Sequence, residues 1–151
     1  MSNVVSTVRR GVSFARRRPD EALLVARLAL DVASFSMLAR VLPLPRSLSF
    51  LSPARRRDVR ARESRVSDER LAQLLDALLS LDALCFTPTC WKRAAVLHRQ
   101  MALRGRQTRV VFGVRRGEGD PLAGHAWLEA GGVPLFETSP PEYAVTYCFP
   151  S

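Results

Sequence analysis

Lysine is nearly missing from this chain: Lys92 is the single lysine among 23 basic residues. Cysteine is scarce as well. Cys85, Cys90 and Cys148 make an odd set with no CxxC pair, which disfavours both a disulfide framework and a structural zinc site. Aromatic residues are 7% of the total, and the arginine-rich stretch from Arg55 to Arg70 contains none. It therefore lacks the stacking platforms of a single-strand binder. Helix-turn-helix, zinc-finger, phosphate-loop and dinucleotide patterns are also absent. The expectation is no nucleic acid partner, no metal and no cofactor. The longest apolar stretch, "EALLVARLALDVASFSMLARVLPL", is interrupted by Glu21, Arg27, Asp31 and Arg40. A membrane span wants about 20 predominantly apolar residues, so this segment reads as a core or docking helix. With no secretory signal, a cytoplasmic protein is expected.

What is present is an ordinary globular composition with a lopsided charge. The 151 residues are 47% hydrophobic, enough for one domain with a real core. The net charge of +9 sits almost wholly in the first half, where residues 1–70 hold 15 Arg against 7 acids. Heavy Arg and Ala use is also what a GC-rich gene produces, so part of this surplus carries no functional message. A basic amino-terminal half is compatible with nucleic acid, an anionic membrane surface (a weak contact) or an acidic peptide, and equally with a solvated arginine-rich surface.

The pattern changes along the chain from helical to extended. Asp20 and Glu21 behind Pro19 suit the start of a helix running to about Ala39. The three prolines between Pro43 and Pro53 suggest a bent connection. Ser67 has the chemistry of an N-cap, and Leu71, Leu74, Leu75, Leu78 and Leu79 behind it repeat as one buried helical face. A second helix is expected from Cys90 to Arg104, with Gly105 as its stop. Beyond it, "QTRVVFGV" reads as a strand, "RRGEGDPLAG" as turn material, and "HAWLEA" as a second strand. Gly131-Gly132 then makes a tight turn into "VPLFE". Helices first and an antiparallel sheet second give an α+β fold. Its division is a basic helical segment over residues 1–66, a docking candidate, and a core over residues 67–151.

Chemistry concentrates on three positions. A cysteine at a helix start sits beside unpaired N–H groups that stabilise a thiolate and can receive an oxyanion. Cys90 has that place and needs a base. His98 lies eight residues along the same helix, about 12 Å away, and cannot serve; it reads as a surface or packing residue. His125, on the strand, can be brought over by tertiary packing to take the thiol proton and later protonate a leaving amine. If Gly131-Gly132 form the turn, position 126 faces Glu137, so His125 is diagonal to Glu137 and a bulge would align them. A carboxylate there would fix the imidazole tautomer. Glu129, on the His125 strand, lies roughly 13 Å along and is too far. Cys85 is the rival nucleophile, without a helix start of its own. Cys148 reads as inert. Trp127 shares the face of His125 and, like Trp91 beside the cysteine, is either a wall of the substrate site or part of the core.

Taken in order, Cys90 at a helix start, "LRGRQTRVVFGV" and "GHAWLEAGGVPLFE" closely resemble the transglutaminase-like cysteine peptidases of lasso-peptide biosynthesis. The resemblance spans about residues 67–138. It implies a papain- or transglutaminase-like fold, with amino-terminal helices packed on a small antiparallel sheet. By its motif Cys90 would be the nucleophile, His125 the general base and acid, and Glu137 the orienting carboxylate. Family members more often carry Asp at that last position. The implied reaction is removal of the leader from a precursor peptide, with the leader's second-last residue, usually Thr, read by a small pocket. Residues 1–66 show no leader-recognition module, so the chain resembles the split form. Its implied partners are the precursor peptide, a separate PqqD-like leader-binding protein and the lasso cyclase, to which the ATP-dependent step belongs. Two other readings stand beside it: protein cross-linking or amidase chemistry on the same triad, and a non-enzymatic basic adaptor for nucleic acid or anionic membrane.

Overall fold

The computed structural model describes residues 19–51, 66–80, 90–117 and 120–150. Among the described residues four helices precede four strands: α1 (Pro19–Val41), α2 (Leu44–Leu51), α3 (Asp68–Leu79), α4 (Cys90–Leu103), β1 (Arg109–Gly117), β2 (Asp120–Ala130), β3 (Val133–Leu135) and β4 (Ala144–Phe149). The strands form one antiparallel sheet in the order β3-β2-β1-β4. The fold is α+β.

Local signals set several of the helix ends. The Ser67 hydroxyl accepts from the backbone N–H of Arg70 at 3.2 Å, capping α3. The five leucines of α3 are all buried. α4 is stopped at Gly105, whose φ of +77° closes the last turn, and Arg106 N–H reaches back to the Met101 carbonyl at 2.9 Å. The proline-rich segment differs from expectation, because α2 forms inside it. Pro45 falls in the first turn, where a missing N–H breaks no helical bond. Leu48 then anchors α2 beneath Phe35 and Ala95.

The charges that interrupt α1 explain how it docks. Glu21 is buried against Arg70 of α3 at 2.9 Å. Asp31 accepts from Arg99 at 3.0 Å and from Gln100 at 2.6 Å, both on α4. Leu28, between these anchors, and Val32 and Phe35, just beyond Asp31, are fully buried. α1 is long and apolar enough to cross a membrane by length and composition, yet its acids point to partners within the domain. The described part of residues 1–66 thus shares one core with residues 67–150. The arginine runs at 9–18 and 55–65 lie outside the described residues.

Alternation along β2 divides its side chains between two environments. Ala126 and Leu128 join Leu97 and Met101 in the helix-side core. His125, Trp127 and Glu129 take the other face. The hairpin closes as Gly131 and Gly132 both adopt positive φ, with Ala130 opposite Val133 and Leu128 opposite Leu135. Two extensions were not foreseen. β1 and β2 continue into "RRGEGDPLAG", and a fourth strand, β4, pairs with β1.

Since β3 and β4 occupy opposite edges, the chain between them must cross the sheet. It crosses the His125–Trp127 face, where the Tyr143 ring lies 5.2 Å from the imidazole and 6.2 Å from the indole, centroid to centroid. Gly113 makes room for this. A Cβ there would stand 2.7 Å from the Tyr143 Cβ and 3.0 Å from the Trp127 ring. Gly113→Ala is expected to destabilise the fold by about 1–3 kcal/mol in urea unfolding. Gly124→Ala, with nothing within 4 Å of its new methyl, should escape that penalty.

Candidate active site

Cys90 is the first residue of α4, a free and partly buried thiol at the rim of the main core. His125 stands on β2 opposite Gly113 of β1. Its ring stacks on Trp127 at 17° with centroids 5.9 Å apart, and Tyr143 flanks it. Trp127 is held in turn by its indole N–H, which donates to Glu129 at 2.9 Å, while Glu129 is paired to Arg109 at 2.7 Å. Glu129 is therefore a support for the floor beneath the imidazole.

Glu137 reaches His125 because the hairpin ends early. Pairing stops at Leu135, short of His125, so β2 has an open edge there. Phe136 takes φ +59°, a left-handed conformation uncommon outside glycine, and swings the chain round that edge. Glu137 Oε2 then lies 3.3 Å from His125 Nε2. With the Nε2 proton donated to the carboxylate, the free lone pair of the imidazole is on Nδ1.

Glu137 also faces the helix. Arg93, one turn beyond Cys90, donates through Nη1 to Glu137 Oε1 at 3.1 Å and through Nη2 to the Phe136 carbonyl at 2.9 Å. Its Nε donates to Asp76 of α3 at 2.6 Å. Burial works against the Arg93 charge, but Asp76 and then Glu137 outweigh it and hold the guanidinium above its ordinary value. Among the described residues no hydrogen bond joins the Cys90 thiol to His125. The two are linked through Arg93 and Glu137 instead. Catalytic hydrogen bonds are often long before substrate arrives and tighten in the complex.

The other residues singled out in the sequence fall as follows. Trp127 is only 3% exposed, so it backs the imidazole and offers a substrate little surface. Trp91 is half-buried and packs edge-on against Phe35 at 5.2 Å, with Lys92 Nζ 5.6 Å from its ring. His98 is buried, bonded through Nδ1 to the Thr108 hydroxyl at 3.0 Å and edge-on to Phe149. Burial pushes its imidazole below the usual range against the opposing effect of Thr108. Cys148 is a partly buried thiol on β4. Cys85 lies outside the described residues. Arg93 and Tyr143 were not among the expected site residues. Arg93 had one available sign, its i+3 spacing from Cys90; Tyr143 had none, since its place depends on the crossover.

A helix-start thiol, a strand imidazole bonded to a carboxylate and an α+β frame are the parts that cysteine-dependent acyl chemistry uses. The family model of the transglutaminase-like superfamily matches residues 22–148, and the chain belongs to that superfamily. Its members are generally cysteine peptidases or acyl transferases. No curated protein and no solved structure matches the chain.

Proposed function

We propose that this chain is a cysteine peptidase that removes the leader from a lasso-peptide precursor, with Cys90, His125 and Glu137 as its triad. The observation that carries the reading is the 3.3 Å contact of Glu137 with His125, tied by Arg93 to the first turn of the Cys90 helix. The sequence "GHAWLEAGGVPLFE" supports the choice within the superfamily.

In the proposed mechanism Glu137 accepts a hydrogen bond from Nε2–H and orients the ring, so that Nδ1 takes the proton from Cys90. The thiolate attacks the carbonyl at the leader–core junction, and N–H groups at the α4 start stabilise the oxyanion. As the C–N bond breaks, His125 protonates the departing amine of the core peptide, leaving the leader as a thioester on Cys90. Water, deprotonated by His125, attacks the thioester and releases the leader carboxylate and the thiol. These residues carry both half-reactions without a metal or nucleotide.

The separate leader-binding protein and the cyclase are proposed partners. The outer side of α1 is a candidate surface for one of them. Leu23, Leu30 and Met37 recur there at seven-residue spacing and are exposed, with Phe50 of α2 also exposed.

The test is incubation with a precursor peptide and its leader-binding protein, with and without a primary amine, followed by mass analysis. Cleavage at the leader–core junction supports the proposal. Amine incorporation would move the assignment to acyl transfer on the same triad. Salt-sensitive binding to nucleic acid or anionic vesicles without turnover would favour the adaptor.

A further inference from the structure

We infer that Arg93 is a positioning residue of the active site, holding Glu137 against His125 and locking that pair to the nucleophile's helix. The inference rests on the proposed Cys90–His125–Glu137 reading. The guanidinium is engaged through all three of its nitrogens. Nε and Nη2 grip the two oxygens of Asp76 at 2.6 and 3.2 Å, and Nη1 and Nη2 hold Glu137 Oε1 and the Phe136 carbonyl. One side chain on α4 therefore joins α3, its own helix and the start of the crossover.

The two oxygens of Glu137 are divided between two partners. Oε1 takes Arg93 and Oε2 takes His125, so the arginine fixes the carboxylate without competing for the imidazole. The same guanidinium pins the carbonyl of Phe136, whose left-handed backbone costs energy for a residue with a side chain. Released from Arg93, residues 136–137 could relax to an ordinary conformation and the carboxylate would leave the ring. A planar fork is required, because an ammonium has the charge but cannot span Asp76, Phe136 and Glu137 together. Arg93 and Glu137 side chains are only 22% and 17% exposed, so water competes weakly for their contact.

The test uses the full chain and iodoacetamide, with carbamidomethylation of the Cys90 peptide followed by mass spectrometry at pH 6. It requires no knowledge of the substrate. Arg93→Met is expected to slow the reaction about tenfold, and to add nothing further in a Glu137→Ala background, as for two residues acting in series. Equal slowing in both backgrounds would reveal a merely structural role, and no slowing at all would also overturn the inference. If thermal melting shows that Arg93→Met does not fold, Arg93→Lys, which keeps a cation for Asp76, carries the test with the same slowing expected. His125→Ala separates the two levels. Indifference of Cys90 to His125→Ala sinks the triad, whereas strong dependence on His125 without dependence on Arg93 sinks this inference alone.

Discussion

Cys90→Ala is expected to abolish precursor cleavage, lowering the rate by about 10⁴-fold or more, as loss of a covalent nucleophile does in other hydrolases. Thioester formation has no alternative donor at that position. The change removes one sulfur from the rim of the core and leaves the helix-start backbone intact, so the melting temperature should shift little. Cys90→Ser separates position from chemistry. A hydroxyl in the same place is a far poorer nucleophile at neutral pH, and its rate should stay within a few-fold of the alanine variant. Full activity in Cys90→Ala would remove Cys90 as the nucleophile and shift attention to Cys85, the rival thiol.

His125→Ala is expected to cost nearly as much, again about 10³–10⁴-fold in kcat. In the proposed mechanism the imidazole serves twice, as base toward the thiol and as acid toward the departing amine, so no single step survives its loss. Because it acts on the reacting atoms and not on remote binding, KM should change far less than kcat. Glu137→Gln should fall between this variant and the wild type. It keeps the length and the Arg93 contact but replaces the charged acceptor of the Nε2 proton. A His125→Ala enzyme retaining more than about a tenth of wild-type kcat would contradict the assigned role.

Much of the fold could be read from the chain because the relevant signals were local. Ser67 and the leucine repeat define α3, and Gly131-Gly132 set a register that the structure shows pair by pair from Ala130–Val133 to Leu128–Leu135. α2 is hidden in the sequence because clustered prolines signal a break, whereas Pro45 stands where a helix tolerates it. β4 was hidden because most of its residues are exposed and show no inside–outside alternation. Its place follows from pairing with β1.

The candidate site divides in the same way. The closeness of Glu137 to His125 follows from the hairpin register, and the device that completes it is the turn at Phe136, not a bulge. Arg93 resembles any solvated helix arginine until Asp76 and the crossover are brought round it. Tyr143 has no sequence pattern that places it over Gly113. Both depend on contacts across the fold, which periodicity does not encode. Glu137 divides its two oxygens, Oε2 reaching the imidazole while Oε1 remains with Arg93.

The most direct measurement is the rate at which iodoacetamide modifies Cys90 at pH 6 in the wild type and in His125→Ala, read on the isolated peptide. If the imidazole draws the proton from the thiol, the wild-type residue should react about tenfold faster or more, since thiolate is the reacting species. Equal rates in two folded proteins would mean that sulfur and ring do not communicate, and the peptidase mechanism would fail.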